Sequence, residues 1–333
     1  MRVNRWRAAA VVAVAVPLVV AACGGESNDD QPSSARAASA DLRLYAVIHG
    51  NANDLYWAQF RKGVEDASKQ VGVTTKLLAT EQFSVQKYVD LLNSAIAAKP
   101  DGLIASIPDV KAADEPLRRA VAGGIPLVTV DSGDPRPRDQ RIPYLQLIGN
   151  DNGLAGRAAA ERILAERKPK RAACPIHEAG NTGLEARCQG FIEVMKAAGV
   201  PVDKFEISAT NPTEATETVR SYFKSHPDTD AIMTMGPPPG QEVITALDEQ
   251  KLTGKVMHVG NVLTPELLQA VIDGKLLALI DFQPYLQGYL AVVNTALYVR
   301  HGLIPNNDTY VSGGVVDKSN AAQAKAGVEA GIR

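Results

Sequence analysis

The sequence predicts an α/β protein made of two doubly wound parallel-sheet halves, and three observations carry that prediction. From Leu42 onward, short β-branched apolar runs alternate with stretches of helical period. The runs are apolar on both faces, as strands of a parallel sheet covered by helices must be. The series begins again after Gly149, and a single open twisted sheet would need more adjacent strands than such sheets usually hold.

Taken in order, "LRLYAVIHG" reads as a strand and leads through a polar loop to a helix over 56–71, where Phe60, Val64, Ala67 and Val71 share one face. "TTKLLAT" is the second strand, and Tyr88, Leu91, Leu92, Ala95 and Ile96 mark a helix over 84–98 that Pro100 closes. "DGLIAS" is the third strand. A helix around 116–122 ends at Gly123-Gly124, the residue type a helix C-terminus prefers, before "IPLVTVD" and "YLQLIG". The second half repeats the alternation with helices over 152–165, 184–198, 213–225, 241–249 and 264–273. Its strands are "RAACPIH", "KFEIS", "DAIMTM", "KVMHVG" and "LLALID". A last helix over 284–300 and a final run "DTYVSGGVV" complete the body, and no convincing sequence repeat relates the halves.

The first 22 residues read as a signal peptide. Arg2, Arg5 and Arg7 precede an apolar run over 8–20 that is too short for an ordinary membrane span. The run ends Val20-Ala21-Ala22-Cys23-Gly24, which resembles the lipobox of bacterial lipoproteins and implies cleavage before Cys23 and lipid on its sulfur. Residues 23–40 are small and polar without apolar period, so they form a flexible tether. The expected place is therefore outside the cytoplasm, on the outer face of the cell membrane or in a periplasm. Cys174 and Cys188 then sit in an oxidising compartment, where a disulfide and two ordinary half-buried cysteines both stay open.

A formal net charge of −2 leaves no basic footprint for a nucleic-acid partner. No GxGxxG follows the first strand, no P-loop or GxSxG elbow occurs, and no clustered ligand set suits zinc, so neither an enzyme nor a cofactor is expected.

Ligands of open α/β sheets bind beyond the carboxyl ends of the strands, which directs attention to those loops. After the first strand, His49, Asn51, Asn53 and Asp54 precede adjacent Tyr56 and Trp57. Aromatics of this kind stack on the C–H face of a sugar while amides and carboxylates take its hydroxyls; the same pattern also reads as a capped helix with Trp57 packed inward. Asp131 follows the fourth strand, and "HEAGNTGLEARCQGF" places His177, Glu178 and Asn181 ahead of Arg187. A carboxylate acceptor and a planar fork of donors together satisfy a vicinal diol.

The segments "LYWAQFRKGVEDASKQVG", "KPDGLIAS", "GGIPLVTVDSG", "IGNDNGLAG", "GLEARCQGF", "HPDTDAIMT" and "VIDGKLLALIDFQPYLQG", in this order, resemble the ribose-binding-like periplasmic binding proteins, type I. The resemblance runs from about Leu42 to Val316. It implies two lobes joined by three crossovers, here 41–150 plus 284–311 and 151–283 plus 312–333, closing on a sugar or polyol. It also implies an ABC permease and ATPase as partners, with the receptor itself a monomer. By position it carries ligand contacts onto Asp54, Tyr56, Trp57, Ser106, Asp131 and Arg187, and near the hinge onto Phe282, flanked by Asp281 and Gln283. The chain departs from the pattern at "MGPPPG", where Gly236 and Pro237 offer no side-chain hydrogen bonds, and at Asn261-Val262, which leaves Asn261 as the polar group. Ribose specificity is thereby unsupported. A receptor subunit feeding a sensor kinase or chemoreceptor, and a receptor for a nucleoside, are the alternatives.

Overall fold

The computed structural model describes residues 41–51, 54–312 and 314–333. The expected signal peptide, Cys23 and the tether lie outside these residues, as does Asn53. Among the described residues no helix is long and apolar enough to cross a membrane.

Two six-stranded sheets organise the chain. The first contains β1 (Arg43–Ile48), β2 (Thr74–Ala79), β3 (Gly102–Ser106), β4 (Leu127–Asp131), β5 (Gln146–Gly149) and β11 (Thr309–Tyr310). Its order is β11-β5-β4-β3-β1-β2, all parallel. The second contains β6 (Arg171–Ile176), β7 (Val202–Glu206), β8 (Thr229–Met233), β9 (Met257–Asn261), β10 (Ala278–Asp281) and β12 (Gly314–Asp317). Its order is β12-β10-β9-β8-β6-β7, parallel except for β12 against β10. Helices α1 (Leu55–Val71), α2 (Val85–Ala97), α3 (Val110–Ala122) and α9 (Pro284–His301) cover the first sheet. Around the second lie α4 (Asn152–Glu166), α5 (Thr182–Ala197), α6 (Pro212–Ser225), α7 (Pro237–Glu249), α8 (Pro265–Ile272) and α10 (Ala321–Glu329). The chain passes from sheet to sheet three times: after β5, after β10, and between β11 and β12.

The continuous apolar character of the strands has its reason in this layering. Leu44, Ala46, Ile48, Ile104 and Val128 pack under Phe60, Val64, Ala291 and Val292 of α1 and α9. Val47, Leu103, Ala105 and Leu127 of the same strands face Tyr88, Leu92 and Leu117 of α2 and α3. Burial on both faces removes the polar alternation a half-exposed strand would show.

Most helices start where a capping side chain stands. Asp54, Ser84, Asp109, Asp151, Asn181, Asn211 and Thr264 each accept an N–H from the first turn that follows. Local capping also explains where the structure departs from the sequence-based boundaries. Helix α3 begins at Val110, not near Pro116, because the Asp109 carboxylate accepts the Ala112 N–H at 2.9 Å. Helix α7 begins at Pro237, not Gln241, since prolines suit a first turn whose N–H groups need no partner. The final run divides, Thr309–Tyr310 joining the first sheet and Gly314–Asp317 the second, and α10 follows where the pattern showed no helix.

Candidate functional site

In each sheet the strand order reverses beside one central strand, β1 in the first and β6 in the second, and ligands of such sheets sit at that reversal. The carboxyl ends of the strands in both sheets contribute to one cavity of about 430 Å³. His49 and Gly50 enter it after β1, Asp131 and Ser132 after β4, His177 and Glu178 after β6, and Met235 to Pro239 after β8.

Asp131 is the polar centre of the first half. Its Oδ1 accepts the Tyr56 O–H at 2.7 Å and the Asn150 amide at 3.2 Å, and its Oδ2 accepts the Ser132 hydroxyl at 3.1 Å. Its backbone lies at φ 63°, a left-handed conformation that Asp tolerates better than most residues, and its N–H is held by Gln287 Oε1 at 3.1 Å. Gln287 in turn donates to Asn150 Oδ1 at 3.2 Å and to the Phe282 carbonyl at 2.8 Å. Asn150 stands on the first crossover and Phe282 on the second, so Asp131 is bonded to the first through its carboxylate and to the second through its backbone N–H and Gln287. Burial and the Asp131 charge drive the Tyr56 phenol well above its ordinary value, which keeps it a donor.

Arg187 is the centre of the second half. From α5 it makes four hydrogen bonds: Nε and Nη2 donate to Asn152 Oδ1 at 3.2 and 2.6 Å, and Nη1 donates to Asn261 Oδ1 at 3.1 Å and the Met235 carbonyl at 3.2 Å. The Phe282 ring lies 4.2 Å beneath the guanidinium, a cation–π contact. Burial lowers its pKa to about 10, which leaves it charged at neutral pH.

His49 bridges the halves. Its Nδ1 lies 2.8 Å from Ser106 Oγ and its Nε2 lies 3.3 Å from Asn181 Nδ2. Asn181 also donates to Glu178 Oε2 at 2.6 Å. The halves touch again where the Thr182 N–H and hydroxyl donate to the Pro108 carbonyl at 2.9 and 2.8 Å. Burial depresses His49 to about 4 and His177 to about 3, so both imidazoles are neutral at pH 7. Burial raises Glu178, and separately Glu242, to about 7.

Of the ten residues expected to contact a ligand, Asp54, Tyr56, Trp57, Asp131, Glu178 and Arg187 line the cavity, as do His49, Asn51, His177, Asn181 and Phe282 from the same loops. Asp54 also caps α1, accepting the Tyr56 N–H at 2.9 Å, and Trp57 is buried edge-on against His49 and Phe60. The other four are placed elsewhere. Ser106 sits behind His49, which takes its hydroxyl, and Asn261 sits behind Arg187, whose guanidinium it holds. Asp281 bonds the Arg333 guanidinium at 2.8 Å, and Gln283 occupies the N-cap of α9. Glu242, Phe83 and the hinge residues Asn150 and Gln287 were not legible as site residues. Reading the prolines of "MGPPPG" as a first helical turn would have placed Glu242 on the same face as Pro238 and Pro239.

Two parallel-sheet lobes, three crossovers and one cavity lined from the strand ends of both sheets define a two-lobed solute receptor. The chain belongs to the periplasmic binding protein domain family, whose model matches residues 44–302. It is 27% identical over 270 residues to the xylose/arabinose-binding protein of Sulfolobus acidocaldarius, across 77% of this chain and 66% of that one. The D-allose-binding periplasmic protein of Escherichia coli K12 is 25% identical over 254 residues, across 72% of this chain and 79% of that one. Among solved structures, a carbohydrate transporter from Acidothermus cellulolyticus 11B in complex with myo-inositol superposes with a TM-score of 0.82 at 27% identity, covering 88% of this chain and 100% of that one.

Proposed function

We propose that this chain is the substrate-binding lipoprotein of an ABC importer, capturing a sugar or polyol between its lobes and presenting it to the permease and its ATPase. One observation carries the reading: Asp131 of one lobe and Arg187 of the other line the same cavity, beside the rings of Tyr56, Trp57 and Phe282. The one guanidinium N–H that Arg187 keeps beyond its four bonds and the Asp131 carboxylate suit hydroxyls of one ligand, and the rings suit the C–H face of the same molecule. The lobes are 41–150 plus 284–311 and 151–283 plus 312–333. A ligand on Asp131 acts on Asn150 of the first crossover and, through Gln287 of α9, on Phe282 of the second, and so biases an open-closed equilibrium that a permease can read. The relatives are named as binding proteins for xylose, arabinose and allose, which supports a receptor rather than an enzyme. Lipid on Cys23 anchors the monomeric receptor outside the cytoplasm, and Cys174 and Cys188, with Cα atoms 6.2 Å apart, close a disulfide.

The test is calorimetric titration with pentoses, hexoses and inositols. A ligand from this panel binds, and Arg187→Ala weakens it by about 2–4 kcal/mol, roughly 30- to 1,000-fold, because a buried hydrogen-bonded cation is removed. Full affinity in Arg187→Ala would refute the site.

A further inference from the structure

Two polar atoms of the cavity-lining residues are buried without a protein partner, and both belong to the second lobe: Nδ1 of His177 and Oε2 of Glu242. Glu242 is only 8% exposed, and burial alone accounts for its raised pKa. A carboxylate oxygen removed from water and left without a donor costs free energy that native folds rarely accept, so such an atom points to a missing partner. The turn ahead of it is equally bare. Gly236 and Pro237 to Pro239 line the cavity without side-chain donors, and Gly236 sits against the His177 ring, with 3.6 Å between its Cβ position and the imidazole.

The charges on the cavity wall specify the partner. Five carboxyl groups line it, those of Asp54, Glu81, Asp131, Glu178 and Glu242, against the single guanidinium of Arg187. That guanidinium already spends four hydrogen bonds on Asn152, Asn261 and the Met235 carbonyl, and neither wall histidine is charged at pH 7. Acceptors are in surplus. A hydroxyl on Glu242 would satisfy its oxygen but bring one more acceptor to a wall already rich in them. An ammonium offers three donors, no acceptor, and the compensating charge.

We propose that the cleft takes an amine-bearing sugar or polyol whose ammonium group donates to Glu242, in a subsite formed by Glu242, His177 and the Pro237–Pro239 turn. This assignment rests on the reading of the cleft as a sugar or polyol site and names the class within it. Glu242 is the specificity-determining residue, while Asp131 and Arg187 hold the hydroxyls shared with neutral analogues.

Matched pairs that differ by one hydroxyl-to-amine exchange test it: glucose with glucosamine, galactose with galactosamine, and an inositol with its inosamine, each titrated calorimetrically into the purified receptor at neutral pH. In the pair that fits, the amine binds about 10- to 100-fold more tightly, the range a hydrogen bond to a charged group supplies. Glu242→Gln brings that ratio to near one. N-acetylation of the amine, which removes its charge, abolishes the preference in the unaltered protein and needs no folded variant. Neutral members binding as well as the amines in every pair, or Glu242→Gln keeping the ratio, overturns the amine subsite alone. Binding by no member of any pair overturns the amine subsite, and failure of the pentoses as well overturns the sugar reading with it.

Discussion

The two lobes are built around the same helix crossing, yet they present their polar groups to the cleft in different states. In the first lobe α1 crosses α9 with Gly63 and Gly288 at the contact, and in the second α4 crosses α5 with Gly156 and Gly190. A Cβ at any of the four would run into backbone: the carbonyl of Tyr285, Phe60, Arg187 or Gly153 respectively. His49 and His177 likewise follow corresponding strands, β1 and β6. Around His49 and Asp131 the polar atoms are taken up by Ser106, Asn181, Tyr56, Asn150, Ser132 and Gln287. Around His177 and Glu242 two atoms wait. The first lobe meets a ligand already organised and tied to the hinge. The second keeps the contacts that choose among ligands.

The shared helix crossing carries the largest steric effect. Gly156→Val drives a branched side chain into the Arg187 carbonyl and destabilises the fold by about 3 kcal/mol or more in urea denaturation, with Gly63→Val behaving alike in the first lobe. Wild-type stability for either would mean that the helices do not cross so closely. The next effect belongs to the second lobe alone. Cys174 and Cys188 join β6 to α5 across 14 residues, so Cys188→Ser lowers stability by about 3 kcal/mol in the chain-entropy model. A variant that melts with the wild type under non-reducing conditions would show that the thiols stay unpaired.

A smaller change probes the first lobe's link to the hinge. Tyr56→Phe keeps the ring and removes the O–H between Asp131, Asn150 and Gln287, costing about 1 kcal/mol of ligand affinity. Slower or incomplete lobe closure, read by small-angle scattering with saturating ligand, separates this from loss of a simple contact.

The last effect is a slope. Glu242 titrates near 7 when folded against an ordinary 4.5, so between these values the folded chain holds a proton that the unfolded chain has released. Its stabilising contribution is complete below about 4.5 and is lost as pH rises through about 7. His49 and His177 run the other way, contributing above 6.5 and failing as pH falls through about 4 and about 3. Comparing Glu242→Gln with the wild type cancels the histidines. The melting temperature of the unliganded variant, relative to wild type, therefore rises from pH 5 to about pH 8. A flat difference would place the Glu242 carboxyl in water and weaken its role in the second lobe.

Much of this architecture was legible before any coordinates. Runs apolar on both faces announced covered parallel strands, and Asp54, Ser84 and Asn181 stood where helices begin. Tyr56, Trp57, Asp131, Glu178 and Arg187 followed from the rule that ligands meet strand carboxyl ends, strengthened by the family likeness. The fate of "DTYVSGGVV" was not legible, because a run of nine residues carries no mark of the point where it changes sheets.

Neighbours along the chain govern the period of burial, the caps, the turns, and the set of polar residues delivered to the strand ends. Long-range packing selected which of those polar residues line the cavity and which are consumed holding one another. Ser106 is taken by His49 from 57 positions away and Asn261 by Arg187 from 74. Both satisfy the requirement that a buried polar atom find a partner, and partners at such separations leave no local pattern to read. Glu242 is the converse case, a carboxyl that the fold buries in the cleft and leaves for something outside the chain to meet.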